Sequence, residues 1–224
     1  MSTIHFALHH LKKDSLIEWR SKDATNSMLF FALLIAVIFS FAFDPTAEES
    51  RRIAGGIIWI AFLFASTLAV NQTWARELRN GVLDALRIAP ASMNAILIGK
   101  AVGNFLFVSL IQALVWPVFM VFYNLRVIGS LWQLAAVLLL GSWALVMNGT
   151  FFTALSLRTR NREVMLPLLL FPISIPALLA MVEATTNVLT GEASPAMWLK
   201  VLGAYDVVFT TIGLLLFETV LGAE

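Results

Sequence analysis

Residues 74–90 read WARELRNGVLDALRIAP and stand between two apolar runs. Wound at about 100° per residue, this segment has an apolar face that begins with Trp74 and Leu78. Its opposite face carries Arg76, Asn80, Asp84 and Arg87, with Glu77 at the margin. Pro90 ends the pattern, because proline has no N–H to donate and disfavours helix in the residue before it. The segment therefore predicts a short amphipathic helix that lies along a bilayer and presents its charged side to water.

The composition is that of a membrane protein. Of the 224 residues, 59% are hydrophobic and only 13% are charged, and the mean hydropathy is +0.85, well outside the usual balance of soluble domains. Apolar runs of roughly 18 or more residues are long enough to cross a bilayer as helices. They do not show the alternation that strands of a membrane barrel require. Because the chain has no cysteine, disulfides and thiolate metal sites are excluded.

Six stretches are predicted to span the membrane, at about residues 26–43, 53–71, 96–123, 131–157, 164–182 and 199–221. They form one predicted transmembrane domain over residues 26–224. Residues 1–25 are polar and amphipathic and show no cleavage site, which is typical of an interfacial helix. The predicted fold is an all-α polytopic membrane protein with six transmembrane helices, an N-terminal interfacial helix and the amphipathic helix at 74–90.

The lysines and arginines predict the orientation. With the N-terminus inside, eleven of the fifteen lie on the inner side, and only Arg51, Arg52, Arg126 and Lys200 lie on the outer side. Both termini, the helix at 74–90 and the basic loop 158–163 are therefore expected in the cytoplasm. Tryptophans then mark the two interfaces, Trp116, Trp132 and Trp198 on the outer side and Trp19 and Trp74 on the inner side.

Two acidic residues fall within the predicted sixth span. A carboxylate inside a bilayer is costly and is a candidate functional group by default. Asp206 lies about two turns inside the outer boundary, and we leave open whether it has a function or only meets a partner near the span end. Glu218 lies near the inner end, where an interfacial position is favoured.

Proline and glycine patterns mark two further spans. The fifth contains Pro167, Pro172 and Pro176, which predict a kinked or broken helix packed among its neighbours. The prolines are candidates for a hinge or gate, with a static kink as the alternative. The third contains Gly99-x-x-x-Gly103, which favours close helix packing over any catalytic role.

No pattern in the sequence predicts catalysis or a metal site. His9 and His10 are adjacent and would point about 100° apart on a helix, so they do not chelate one ion together. The sequence has no phosphate-binding loop of the G-x-x-x-x-G-K-[ST] type, so ATP would have to be bound by another subunit. No paired acid and base predicts an intramembrane enzyme.

The order of the chain's predicted amphipathic helices and membrane spans resembles that of permeases of the ABC-2 exporter class. Gly56-Ile57-Ile58-Trp59 leads into the second span, Glu77-Leu78-x-x-Gly81-x-Leu83 precedes Pro90, and Lys100 follows. With Pro172-x-x-x-Pro176 and six spans, this ordered set resembles the haem exporter B family (CcmB) of cytochrome c maturation. The resemblance covers nearly the whole chain.

The resemblance implies a function and a set of partners. A permease of this family pairs with a cytoplasmic ABC ATPase that binds ATP and with a haem-handling membrane protein that carries a tryptophan-rich motif. It is expected as a homodimer in the bacterial or organellar inner membrane, in contact with lipid and with no nucleic acid. The complex drives release of a haem-loaded chaperone on the outer face. Within it, residues 77–87 would form the coupling helix that docks on the ATPase, with Arg76, Glu77, Arg79, Asn80, Gly81, Asp84 and Arg87 as candidate residues.

The residues themselves favour a mechanical role over passage of haem through this subunit. Haem iron is held by histidine, methionine, cysteine or tyrosine, and the histidines here are confined to the N-terminal segment. Methionines in the spans, such as Met147, are more often packing residues. We therefore predict no cofactor bound directly to this chain, with haem as cargo of the complex. Two alternatives stay open: an ABC-2 permease for a lipid or drug, and a scaffold that gathers assembly factors without transport.

Overall fold

The computed structural model describes residues 22–43, 48–79, 93–156 and 162–222, and within these ranges the chain forms long α-helices. In chain order the helices are α1 (Asp23–Ala42), α2 (Glu48–Arg79), α3 (Met93–Phe122), α4 (Leu131–Ser156), α5 (Arg162–Thr190) and α6 (Ala196–Gly222). All six are long and apolar enough to cross a membrane. The predicted all-α polytopic fold is therefore confirmed, and the chain is a multi-pass membrane protein.

Successive helices run in opposite directions, which gives the bundle two ends. We call the end where α2 stops and α3 begins the Arg79 end, and the opposite end, where Gly129 precedes α4, the Gly129 end. At the Gly129 end the backbone N–H of Gly129 donates to the carbonyl of Val188, 2.8 Å away. At the same end, Arg52 and Glu192 form an exposed ion pair, in which Nη2 of Arg52 lies 2.6 Å from Oε1 of Glu192.

The second span is longer than predicted. The sequence suggested a span that stops near residue 71 and a separate amphipathic helix that begins at Trp74. Instead α2 continues without interruption to Arg79, and its apolar, membrane-length part extends to Leu78. The helix continues because residues 71–73 contain no proline or glycine, and the side chains of Gln72 and Thr73 find partners on α1 and α3. Beyond Arg79, residues 80–92 lie outside the described part of the chain, as do residues 1–21.

The fifth span is also longer than predicted. A loop was expected over residues 183–198, but α5 runs to Thr190 and α6 begins at Ala196. Gly191 follows α5 with a φ of +70°, a left-handed conformation that glycine adopts without strain. Its N–H donates to the carbonyl of Asn187, 2.9 Å away, and so ends the helix. The connection between α5 and α6 is therefore a short turn.

The core lies where α2 meets α4 and α5. Trp59 of α2 is fully buried, and its indole N–H donates to the hydroxyl of Thr185 on α5 across 2.8 Å. Its ring lies against Gly141 of α4, where an added Cβ would stand 2.8 Å from the ring atom Cζ3. Gly55, one turn earlier, lets α2 approach α5, since a Cβ there would lie 2.8 Å from the hydroxyl of Thr186. Small residues thus set the spacing of the central helices.

The outer surface of the bundle is apolar. Phe30 and Phe41 on α1, and Val207 and Leu215 on α6, have most of their side-chain surface exposed. In water such a surface would be an aggregation hazard, whereas a bilayer covers it at no cost. This agrees with helices that face lipid on one side and the bundle on the other.

Candidate functional site at the Arg79 end

A buried ion pair joins α2 to α3 at the Arg79 end. The Nζ of Lys100 lies 2.9 Å from Oε1 of Glu77. Glu77 is 4% exposed and Lys100 is 1% exposed, so both charges are removed from solvent by the protein itself. Isolated charges at such a depth would be strongly destabilising, and each is compensated by the other. The long lysine side chain, which can reach towards water from within a bilayer, turns into the bundle instead.

Trp74 lies against the ammonium group of this ion pair. Its ring is fully buried, and the ammonium group of Lys100 stands 4.7 Å from the ring centroid. An ammonium ion over an aromatic face is attracted by the negative quadrupole of the ring, and the attraction is strongest when water is absent. The predicted position of Trp74 in an interfacial aromatic belt is therefore wrong, because α2 turns this side chain into the bundle.

Polar contacts continue up α2 from this pair. The amide of Asn104 on α3 donates to the hydroxyl of Thr73 at 3.4 Å, and the amide of Gln72 donates to the hydroxyl of Ser27 on α1 at 3.0 Å. We define the polar junction as Thr73, Trp74, Glu77, Lys100 and Asn104. It places five side chains that bear charge, hydroxyl, amide or aromatic groups between two apolar helices.

The candidate coupling residues divide into described and undescribed ones. Arg76 is half-buried in the last turns of α2, and Arg79 is the last residue of that helix. Asn80, Gly81, Asp84 and Arg87 lie outside the described residues. Glu77 was expected at the margin of a polar, water-facing side, whereas the structure buries it against Lys100. A direct contact between Glu77 and an ATPase subunit is therefore not proposed.

Asp206 is buried in the middle of α6. It is 7% exposed, and neither carboxyl oxygen has a hydrogen-bond partner among the described residues. Its neighbour Tyr205 is well bonded: the hydroxyl donates to the carbonyl of Ile173 at 2.9 Å and accepts from the amide of Asn148 at 2.6 Å. Asp206 thus remains a candidate functional group with no structural partner assigned.

Glu218 is exposed near the Arg79 end of α6 and accepts a hydrogen bond from the amide of Asn94, at 3.3 Å, close to the start of α3. An interfacial position for Glu218 remains a prediction.

The three prolines of α5 do not break the helix. α5 is continuous from Arg162 to Thr190, and Pro172 and Pro176 are exposed on its surface, not packed among neighbours. Pro176 removes the N–H that would donate to the carbonyl of residue 172. The Tyr205 hydroxyl donates to the carbonyl of the next residue, Ile173. Roles of Pro167, Pro172 and Pro176 as a hinge or gate remain predictions.

Gly99 and Gly103 are both buried in α3, as a packing role requires, and that role remains a prediction. Gly99 directly precedes Lys100, and Gly103 directly precedes Asn104. The small side of α3 thus adjoins its polar side, since consecutive helical residues point about 100° apart.

A largely apolar cavity of about 400 Å³ lies between α4, α5 and α6. Asn148 contributes its most polar side chain, and the other lining residues include Phe151, Phe152, Ile173, Phe209 and Leu216. No His, Met, Cys or Tyr lines it in the described part of the chain, so it offers haem iron no axial ligand.

Comparison with known proteins identifies the family. A family profile described as "CcmB protein" matches residues 5–221, nearly the whole chain. This chain belongs to the CcmB protein family. Heme exporter protein B of Rhodobacter capsulatus is 33% identical over 169 residues, which cover 75% of this chain and 77% of that protein. The proteins of the same name from Paracoccus denitrificans and Bradyrhizobium diazoefficiens are 31% and 26% identical, over 87% and 91% of this chain and 88% and 91% of their own lengths.

The sequence pointed to Glu77 and Lys100 separately, but their pairing in the polar junction was not predicted. Glu77 and Lys100 both stood in the pattern that carried the CcmB resemblance. Lys100 lies seven residues inside an apolar helix, or roughly 10 Å along it. A lysine at that depth requires a counter-charge, and the two nearest preceding acids are Asp84 and Glu77, of which Glu77 is the closer to the second span. That requirement was the signal that could have paired them.

Proposed function

We propose that this CcmB-family chain is the permease subunit of an ABC transporter complex for cytochrome c maturation. It transmits the motion of an ATPase to haem export or to release of a haem-loaded chaperone on the outer face. The observation that carries the proposal is the family match over residues 5–221, together with relatives named heme exporter protein B. Six membrane-length helices and a sequence without a phosphate-binding loop suit a subunit driven by a separate motor.

The proposed complex contains a cytoplasmic ABC ATPase, a haem-handling membrane subunit and two copies of this chain. An ATPase pair offers two docking sites, and two copies supply one coupling segment to each. The chain lies in the inner membrane with the Arg79 end in the cytoplasm, because most of its lysines and arginines belong to that side. The coupling segment is residues 80–90 together with Arg76 at the end of α2, with Arg76, Asn80, Asp84 and Arg87 towards the ATPase.

The mechanism that we favour is mechanical. Closure of the ATPase pair displaces the coupling segment, which shifts α2 and α3 and so changes the surface that the bundle offers to its partner on the outer side. The lining of the cavity between α4, α5 and α6 supports this reading, because its described residues offer no ligand to haem iron.

Co-purification tests the proposal. The complex is isolated from membranes through a tag on this chain, its subunits are identified by mass spectrometry, and haem is followed by absorbance. We expect an ATPase subunit, a haem-containing membrane subunit, and loss of the haem-loaded chaperone on addition of ATP. The ATPase-dead variant of the partner is the control. If that variant supports release as well as the wild type does, the chain is a scaffold and the proposal is wrong.

A second candidate is export of a lipid by the same architecture. The apolar cavity between α4, α5 and α6 favours it, since phenylalanine and leucine side chains match an acyl chain. A deletion strain separates the two functions. Loss of c-type cytochromes supports the haem-handling complex, whereas intact cytochromes with altered lipid export support the second candidate.

A further inference from the structure

We propose that Glu77, Lys100 and Trp74 are positioning residues that hold α2 and α3 together at the Arg79 end, so that the two helices move as one unit during the working cycle. The inference deepens the proposed function, and rests on it for the cycle in which the motion occurs. It assigns a role to a buried charge cluster that coupling to an ATPase does not by itself require.

The first argument is the way the helices pack. α2 packs along α1, α4 and α5 more extensively than along α3. Away from the junction, Phe62 of α2 and Phe119 of α3 bring their ring centroids within 6.3 Å. At the Arg79 end, the polar junction supplies the specific contacts between the two helices. Its loss would therefore weaken this pair of helices more than any other pair that α2 forms.

The second argument is energetic. A buried ion pair gains little over well-packed apolar side chains, because desolvation offsets most of the attraction. Apolar residues at positions 77 and 100 would hold two helices together equally well in a bilayer. What the ion pair adds is register: Glu77 has to lie opposite Lys100, and Trp74 beneath the ammonium group, for either charge to be tolerated.

The third argument concerns motion. If α2 and α3 separated at this level, one carboxylate and one ammonium group would be left in apolar surroundings, which is far more costly than parting two apolar faces. The Thr73–Asn104 hydrogen bond would be lost as well. A displacement applied at the Arg79 end is therefore passed to both helices together.

The first arm of the test uses charge variants in the purified complex. Glu77→Gln and Lys100→Met are expected to raise the ATP consumed per chaperone released at least fivefold, whereas Lys100→Arg, which keeps the positive charge beside Glu77 and over the Trp74 ring, is expected to retain most of the coupling. Glu192→Gln is the matched control, since it breaks the exposed pair with Arg52 at the opposite end. Wild-type coupling in both Glu77→Gln and Lys100→Met would overturn the inference.

The second arm uses the absence of native cysteines. Thr73→Cys with Asn104→Cys is cross-linked in membranes by a short bis-methanethiosulfonate reagent, which forms a disulfide with each thiol and is removed by reduction. If the helices move together, the cross-linked complex has the same activity as this double-cysteine variant before cross-linking, and the cross-linking yield is equal with and without ATP and vanadate. Loss of activity that reductive cleavage restores, or a yield that falls with ATP and vanadate, would overturn the inference. This arm decides the matter if the charge variants fail to fold.

The two failures can be told apart. If the wild-type complex shows no ATP-dependent release, the proposed function is wrong. If the wild type releases chaperone and the variants or the cross-linked pair behave against expectation, the proposed function stands and the role of Glu77, Lys100 and Trp74 is wrong.

Discussion

At the scale of single residues, the side chains with the most testable consequences are the charged and polar groups buried within membrane-length helices. Glu77 and Lys100 are charges buried among apolar helices, and Asp206 is a carboxyl group without a described partner. Burying each of these groups costs free energy that apolar packing does not require. We therefore expect a measurable change in stability or activity when each is substituted.

Glu77→Gln should destabilise the folded protein strongly. Removing one partner of a buried ion pair leaves the other charge uncompensated, which costs about 3–5 kcal/mol. Glu192→Gln, at the exposed ion pair of the Gly129 end, should change the free energy of unfolding by about 0–1 kcal/mol. Unfolding titrations of the purified protein measure both values. Equal effects of the two substitutions would show that the Glu77–Lys100 pair is not desolvated.

Gly141→Ala should lower the melting temperature, because the new Cβ meets the buried ring of Trp59. Overpacking of this kind costs about 1–3 kcal/mol. Gly203→Ala is the matched control, since a Cβ at that helical position meets nothing within 4 Å. It should leave the melting temperature unchanged or raise it slightly, as alanine favours helix over glycine. A tolerated Gly141→Ala would contradict the packing of α2 against α4.

Asp206→Leu should raise the melting temperature, because a buried polar group without a hydrogen-bond partner destabilises the folded state. Thermal unfolding in detergent measures the change, with Asp206→Asn as the control that keeps size and polarity. A decrease with Asp206→Leu would mean that the carboxyl group has a stabilising partner. If stability rises while activity is lost, Asp206 is a functional group.

At the scale of the elements, the continuity of α2 is the feature with most consequence. Because α2 crosses the membrane and continues to Arg79 as one helix, it carries displacement at the Arg79 end directly into the core around Trp59. A separate helix joined to the span by a flexible connection would lose part of that displacement. The polar junction extends the same connection to α3.

Ala75→Pro distinguishes these two arrangements. In the interior of a continuous helix proline removes a hydrogen bond and clashes with the preceding turn, at a cost of about 3 kcal/mol or more. In the first turn of a helix that began at Trp74 it would be tolerated. We expect a large fall in melting temperature. Leu131→Pro, at the first residue of α4, is the control and should have little effect; an equally small effect of Ala75→Pro would contradict the continuity of α2.

The sequence predicted the kind and number of membrane helices well, and their ends less well. Long apolar runs identify spans because the bilayer sets their length. The ends of α2 and α5 were missed because the predicted spans stopped where the apolar runs end, near residues 71 and 182, whereas polar residues beyond them, such as Gln72, Thr73 and Glu183, still lie within the helices. Periodicity also put Glu77 near the water-facing side, because a helical wheel does not contain the neighbouring helix that carries Lys100.

At the scale of the whole molecule, the bundle has a lipid-facing surface and two chemically different ends. The Gly129 end is tied by an exposed ion pair and a short turn between α5 and α6. The Arg79 end holds the buried junction between α2 and α3. In the proposed complex the Gly129 end faces the haem-handling partner and the Arg79 end faces the ATPase. The ATPase therefore acts on the end where the charged contacts are buried.

The most direct measurement of this account is the side of the membrane on which the Arg79 end lies. Single-cysteine variants Arg87→Cys and Glu192→Cys, in a chain without native cysteines, are labelled with a membrane-impermeant maleimide in intact cells and in inverted vesicles. The account predicts that residue 192 is labelled in intact cells and residue 87 only in inverted vesicles. Labelling of residue 87 in intact cells would put the coupling segment beyond the reach of a cytoplasmic ATPase and would contradict the account.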